Sequence, residues 1–157
     1  MKKSFSTIMI FSAIIFNLFY PGCKSIPVEQ HPAIEFKKAE EYNFKFTGYD
    51  STVSTPDMDR RCYYKIYIDK VEDGRTTTGL ESQKKVYEAK LSINRHLLVI
   101  EKWVLDEKKG KYVKLNNIDQ PKPNFIYFDI VEDKIVLIEM NSDEKGNAEY
   151  EIEFERK

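Results

Sequence analysis

Thiols, histidines and long hydrophobic runs are all scarce in this 157-residue chain. Of its two cysteines, Cys23 and Cys62, only the second lies beyond the N-terminal region, so no internal disulfide is expected. Cys62 begins an alternating apolar segment, which predicts a buried, unreactive thiol. The two histidines, His31 and His96, do not indicate a histidine-rich metal site or a base supported by an acid. We therefore predict a protein that is not an enzyme and that holds neither a metal nor a cofactor.

The apolar stretch at residues 8–20 is 13 residues long and carries no charge. It falls short of the ~20 residues that a helix needs to span a bilayer, but it fits the core of a removable export signal. Lys2 and Lys3 precede it, and no acidic residue occurs before Glu29, as is typical of such signals. We therefore predict a signal peptide over residues 1–22.

The end of this signal carries a cysteine-containing motif. Gly22-Cys23 resembles the lipobox of bacterial lipoproteins, in which a small residue precedes a cysteine that receives a diacylglyceryl group. Tyr20 and Pro21 replace the usual leucine and small residue, a loosened form that is similar to the lipoboxes of spirochaete lipoproteins. The resemblance implies that Cys23 is lipidated and that the protein lies in the bacterial cell envelope, at the outer membrane. The alternative is a cut after Ser25, which would release an unanchored protein.

The rest of the chain divides into a tether and one domain. Residues 23–32 form the predicted tether, because Pro27 and Pro32 favour an extended chain. Residues 33–157 are then a single β domain, of a size that one hydrophobic core can stabilise. Without the two lysines of the signal, the 25 basic residues fall to 23 against 26 acidic ones, a net charge of −3. This balance argues against nucleic acid as a partner.

Alternation of apolar and polar residues predicts a domain made almost entirely of strands. Residues 149–155 place Tyr150, Ile152 and Phe154 on one side and glutamates on the other, as in a half-buried antiparallel strand. Only residues 32–41 are predicted to be helical. Eight strands are expected, near residues 44–47, 62–70, 87–93, 97–105, 113–115, 124–131, 134–141 and 149–155.

The links between these strands predict an antiparallel meander. Glu132-Asp133 joins two apolar runs and residues 94–96 join two others, so strands adjacent in sequence are expected to pair. Eight such strands leave two architectures open, a small closed barrel and a two-sheet sandwich. We favour the barrel, whose build is similar to that of the lipocalins. The lipocalin signature glycine is absent, since Glu101 stands at that position before Trp103.

The predicted hairpin at Glu132-Asp133 gives a candidate partner surface. One of its two apolar faces fills the core, and the other needs a cover, because monomers rarely expose large apolar patches. The cover is either the N-terminal helix, through Ile34 and Phe36, or a partner: a second copy, another envelope protein or the membrane. The candidate partner face comprises Phe125, Tyr127, Val136, Ile138 and Met140, and the opposite face comprises Ile126, Phe128, Ile130, Ile135 and Leu137.

Two further features carry less information. Glu101 faces inward if residues 94–96 form a three-residue loop and outward if the loop has two residues, so the sequence leaves its environment open. An arginine pair and three tyrosines within residues 60–67 provide rings suited to protein or glycan contact, although tyrosine also simply favours strands.

Together these observations predict a non-enzymatic envelope lipoprotein that acts through its surface, as a structural or partner-binding module anchored to the membrane by Cys23. The alternative is a barrel that carries a small apolar ligand such as a lipid. That alternative rests on aromatic residues predicted to face inward, which either line a ligand cavity or fill it. These residues are Phe44, Phe46, Tyr64, Phe128, Tyr150 and Phe154.

Overall fold

The computed structural model describes residues 41–53, 56–143 and 145–157. The described part is mostly β, with a curled half-barrel sheet and a second sheet. A short 3₁₀ helix, Pro56–Met58, is its one helical element. The strands are β1 (Phe44–Asp50), β2 (Arg61–Ile68), β3 (Val71–Arg75), β4 (Gly79–Leu80), β5 (Lys85–Ala89), β6 (Arg95–Asp106), β7 (Lys111–Lys114), β8 (Phe125–Asp129), β9 (Lys134–Ser142) and β10 (Ala148–Arg156).

Each of the eight predicted strands overlaps a strand of the structure. The alternation that identified them matches their burial, which switches at every residue along β1 and β9. Two short strands were not predicted, β3 and β4, because they are polar or only two residues long. The predicted helix at residues 32–41, the signal peptide, the tether and Cys23 lie outside the described residues, apart from Glu41.

The strands do not form the predicted meander. The four-stranded sheet has the order β10-β9-β1-β5, and the six-stranded sheet has the order β3-β2-β6-β7, with β4 paired to β2 and β8 paired to β6. β1 runs parallel to β9, and the other paired strands are antiparallel. The short links after β5 and β8 lead from one sheet to the other, so they do not close hairpins. The expectation that adjacent strands pair is therefore wrong at both of these links.

The crossing after β8 also corrects the candidate partner face. Val136, Ile138 and Met140 are fully buried in the four-stranded sheet, whereas Phe125 and Tyr127 are exposed on the six-stranded sheet. The prediction that these five residues share one face is wrong. A turn within one hairpin would preserve the alternation of faces, but a turn that crosses between sheets does not. Asp133, with φ 56°, lies in this crossing turn.

The core lies between the two sheets and is filled by aromatic and branched side chains. Phe44 of β1 stacks on Phe128 of β8 with ring centroids 4.7 Å apart, which joins the two sheets. Phe46 meets Tyr64 edge to face at 6.0 Å. Each such buried ring contributes roughly 2–3 kcal/mol of transfer free energy. Gly48 belongs to the same packing, because an added Cβ there would lie 2.7 Å from Cε2 of Tyr64.

Strand β6 changes partner along one of its edges. Its first half pairs with β8 and its second half with β7, which leaves a gap around Ile100 and Lys102. One amide side chain and one backbone carbonyl fill the gap. Gln120 accepts a hydrogen bond from the Lys102 amide at 2.7 Å and donates to the Lys102 carbonyl at 3.0 Å, and the Asn124 carbonyl accepts from the Ile100 amide at 2.9 Å. The buried backbone of β6 is therefore satisfied between its two partners.

Candidate functional site

A cleft of about 580 Å³ opens where β1 and β9 end and β2 and β10 begin. It combines charged side chains with an apolar rim, as ligand and peptide sites commonly do. Its lining comprises Asp50, Val53, Asp57, Met58, Arg60, Glu81, Lys102, Leu115, Asp119, Pro121, Ser142, Asp143 and Gly146.

The alternation of the strands places two charged residues at the floor of this cleft. Asp50 ends the inward row of β1, after Phe44, Phe46 and Gly48. Lys102 occupies an inward position of β6, between buried apolar neighbours. Glu81 follows the short strand β4 and is buried beside them. These three side chains are only 5–7% exposed, so their charges require partners inside the fold.

Glu81 is the centre of this buried charge network. Its Oε1 lies 2.8 Å from Lys102 Nζ and 2.9 Å from Arg60 Nη2, and its Oε2 accepts from Arg60 Nε at 3.3 Å. Lys102 Nζ also lies 3.8 Å from Asp50 Oδ2. Burial alone would raise the pKa of Glu81, but hydrogen bonds from Arg60 and the charge of Lys102 hold that pKa below its ordinary value. Glu81 is therefore an ionised group shared by two cations.

Lys85 anchors the loop that carries Glu81. Its ammonium is fully buried and donates to the carbonyls of Leu80 at 2.7 Å, Glu81 at 2.9 Å and Gln83 at 2.5 Å. All three protons of the ammonium are thereby used. Burial lowers the pKa of Lys85. This lysine holds the backbone around Glu81 in place and is not open to the cleft.

Cys62, which lies at the start of β2, is the free thiol of the described chain. It is fully buried, which confirms that part of the prediction. Burial raises the pKa of the Cys62 thiol, so the thiol is protonated at neutral pH and is a poor nucleophile. Within the described residues, no group of three or more His, Cys, Asp or Glu side chains is arranged to hold a metal ion.

The rim of the cleft is acidic. Five acidic residues and two basic residues line it, a formal charge of −3. Both basic groups are already engaged by Glu81, and Lys102 also lies near Asp50. The carboxylates of Asp57, Asp119 and Asp143 also line the cleft, beside apolar groups such as that of Met58. Asp119 and Asp143 accept hydrogen bonds from uncharged groups of their own loops, which leaves their negative charge without a cation. Chemically, the cleft is suited to a group that is cationic at its tip and apolar along its stem.

A second candidate surface is the outer face of the six-stranded sheet. Tyr63 stacks on Trp103 with centroids 6.2 Å apart and contacts Tyr112 at 5.0 Å. Lys65 lies 5.0 Å from the Trp103 ring, and Arg75 lies 5.0 Å from the Tyr63 ring. These cation–π contacts already cover much of the rings. The outer aromatic row is therefore largely occupied by the chain's own side chains.

The structure shows the environments of Glu101 and of the tyrosines within residues 60–67, which the sequence left open. Glu101 lies on that same outer face, half-buried, and accepts from Tyr67 at 3.1 Å and from Lys114 at 2.5 Å. Burial alone would raise the pKa of Glu101, but the hydrogen bonds from Lys114 and Tyr67 lower it. Of the three tyrosines within residues 60–67, Tyr64 is fully buried in the core, whereas Tyr63 and Tyr67 lie on the outer face of β2, where Tyr63 is also buried.

The charge network of the cleft was missed by sequence reasoning. Asp50, Glu81 and Lys102 come from three distant segments, and no motif joins them. Two of them still left a signal, because each stands at an inward position of an alternating strand, where an apolar residue is expected. A charged residue at such a position indicates a buried partner of opposite charge.

No family model, curated protein or solved structure matches the chain. Across the part that the structure describes, no helix combines the length and hydropathy needed to cross a membrane. The site is therefore interpreted from its own geometry.

Proposed function

We propose that the protein is a non-enzymatic lipoprotein of the bacterial envelope, anchored at the outer membrane through an acylated Cys23, and that it binds a partner protein in the cleft. The partner supplies a lysine or arginine side chain to the acidic rim. The support comes from the chemistry of the cleft and from its position relative to the N-terminus of the domain.

The observation that carries the proposal is the excess of carboxylates at the rim. Arg60 and Lys102 are neutralised at the floor by Glu81 and Asp50. The field in the opening is therefore set by the remaining carboxylates, which attract cations. An amphipathic lysine or arginine side chain fits this arrangement, because its stem packs on apolar groups such as Met58 while its head meets the carboxylates.

The position of the cleft suits a tethered module. The described chain begins at Glu41 and enters β1 at Phe44, and Asp50 at the end of β1 reaches the cleft. The seven residues of β1 span about 20 Å along the strand. The cleft therefore lies at the end of β1 opposite the end at which the chain enters the domain.

The packing of the core weighs against the alternative of an apolar ligand carrier. Phe44, Phe46 and Tyr64 are fully buried and contact one another or the opposite sheet. They fill the space that cargo would need. The cleft itself is charged, which does not suit a lipid tail.

Binding in the cleft is tested with pentalysine and the unlipidated chain, residues 24–157, followed by amide chemical shifts. We expect shifts at Asp57, Asp119 and their neighbours. The double substitution Asp57→Asn and Asp119→Asn should weaken binding about three- to tenfold, because each exposed ion pair contributes about 0.2–1 kcal/mol. The matched control removes the same charge from the outer face of β10, with Glu151→Gln and Glu153→Gln. Equal weakening by both pairs, or shifts confined to β10, would reject the cleft as the binding site.

The anchor is tested separately. Metabolic labelling with a palmitate analogue should mark the native protein and leave Cys23→Ser unlabelled, and the native protein should enter the detergent phase on partitioning. A native chain that begins at Ile26 and carries no acyl mass would refute the lipid anchor.

A further inference from the structure

Three aliphatic side chains are exposed on the loops at the end of the domain opposite the cleft. Val71 is 68% exposed, Ile93 is 60% exposed and Val131 is 39% exposed. Val71 begins β3, Ile93 precedes β6 and Val131 follows β8. Exposed single aliphatic residues are ordinary, but these three lie on neighbouring loops at one end of the two sheets. We refer to Val71, Ile93 and Val131 as the apolar tips.

Hydrogen bonds hold these loops together. The turn before Val71 is joined to β6, because the Asp69 amide donates to the Leu97 carbonyl at 2.9 Å. The loop of Ile93 is joined to the loop of Val131, because the Ile130 amide donates to the Asn94 carbonyl at 2.9 Å. The apolar tips therefore project from one connected end of the two sheets.

The N-terminal chain enters the domain at this same end. Asn43 donates from Nδ2 to the Leu91 carbonyl at 2.8 Å, and its own carbonyl accepts from the Val136 amide at 2.9 Å. Glu41 pairs with Lys90 at 2.9 Å. These contacts fix the first described residues beside the loop that carries Ile93.

The covalent distance to Cys23 is short. Eighteen residue steps separate Cys23 from Glu41, so the chain between them spans at most about 60 Å when fully extended. A lipid on Cys23 therefore keeps the point at which the chain enters the domain within about 60 Å of the bilayer. The cleft lies at the opposite end of the domain, separated from this end by the length of β1.

Charges around the apolar tips are nearly balanced. Lys70, Arg95 and Lys134 lie on or beside these loops together with Asp69, Glu132 and Asp133. Such a surface has no strong preference for anionic lipid headgroups, so its membrane contact depends on apolar burial at the interface.

We propose that the apolar tips rest in the lipid interface and hold the anchored domain upright, with the cleft directed away from the membrane. This inference rests on the lipid anchor of the proposed function. The partner of these residues is the bilayer to which the chain is tied, and the membrane contact sets the direction in which the cleft is presented.

The test compares one fluorescent label at two positions of the lipidated protein in phosphatidylcholine vesicles that contain doxyl-labelled lipids. Ile93→Cys places the label on an apolar tip, and Met58→Cys places it at the cleft rim with similar exposure. Cys62 is fully buried and Cys23 is acylated, so only the introduced thiol reacts. We expect quenching at position 93 to exceed quenching at position 58 by at least about threefold. Equal quenching at the two positions would overturn the proposal.

A further experiment distinguishes failure of the lipid anchor from failure of the proposed orientation. The Cys23→Ser chain, held on the vesicles by an N-terminal histidine tag and nickel-chelating lipid, should give the same quenching pattern. This arm tests the orientation even if the native protein proves to have no acyl chain.

Val71→Asp with Val131→Asp should reduce quenching at position 93 about tenfold, whereas Ile118→Asp, outside the apolar tips, should not. If iodide cannot reach the label at position 93 without vesicles, the chain's own N-terminal segment covers the tips and the proposal is wrong.

Discussion

Replacing Glu81 by glutamine removes the anion that Arg60 and Lys102 share. Arg60 is 50% exposed and can be solvated after the change, but Lys102 is 7% exposed and cannot. Asp50, at 3.8 Å, is then the remaining carboxylate near the Lys102 ammonium. The substitution therefore leaves a buried cation with weak compensation, which is the costly way to break a buried ion pair.

The expected loss of unfolding free energy is about 3 kcal/mol, from the usual cost of removing one partner of a buried pair. Domains of this size are stable by roughly 5–15 kcal/mol, so the variant folds with a much reduced margin. With a urea slope of about 2 kcal/mol per molar, the midpoint of unfolding falls by about 1.5 M. The matched control is Glu139→Gln, whose partner Lys84 is exposed and 2.7 Å away. Loss of that exposed pair should cost less than about 1 kcal/mol.

The pH dependence of unfolding gives an independent reading of the same network. The pKa of Glu81 is held below its ordinary value of 4.5, so the stability that this carboxylate contributes is present above about pH 4.5. It is lost as the pH falls through the lower folded pKa. The difference between the wild type and Glu81→Gln should therefore shrink in acid. A loss equal to that of Glu139→Gln, or a difference that is constant down to pH 2, would refute the buried network as described.

Three further changes test other parts of the fold. Lys85→Met should cost about 3 kcal/mol in urea unfolding, because the buried carbonyl of Glu81 and the partly buried carbonyls of Leu80 and Gln83 lose their donor; an unchanged midpoint would contradict this assignment. Gly48→Ala should cost about 1–3 kcal/mol, because its Cβ would lie 2.7 Å from the Tyr64 ring, and a melting temperature equal to the wild type would argue against that packing. Burial alone would lower the pKa of His96, but its two ring nitrogens face a backbone carbonyl at 2.9 Å and Asp69 at 2.7 Å, and the pKa rises above 6.5. Its contribution to stability is thus complete below about pH 6.5 and is lost as the pH rises through the folded pKa; NMR titration should give a lower pKa in Asp69→Asn, and an unchanged value would exclude the pair.

The strands themselves could be predicted because the burial pattern of each strand appears as an alternation in its own sequence. In β9, Val136, Ile138 and Met140 alternate with less buried residues, and this pattern survives whatever the strand pairs with. The pairing of the strands could not be predicted in this way, because it depends on segments far apart in the chain. The short link after β8 has the length of a hairpin turn, yet it crosses between the sheets.

The cleft could not be predicted for the same reason. Its floor joins Asp50, Glu81 and Lys102, which lie in three separate segments whose proximity follows from the sheet order. The local signal, a charge at an inward position, was present at Asp50 and Lys102. A charge at an inward position does not identify its partner, because the partner depends on the tertiary arrangement.

The position of β1 has a consequence for how the chain acquires its structure. Phe44 of β1 aligns with Val136 of β9 and with Ala89 of β5, so the first described strand pairs with segments that are synthesised later. Ordering such distant contacts is slow, since the entropy of closing long loops is lost before the contacts form. The four-stranded sheet cannot be completed until β9 and β10 have left the ribosome. For a polypeptide that we propose is threaded through a membrane before it folds, this delay keeps it in a form that can be translocated.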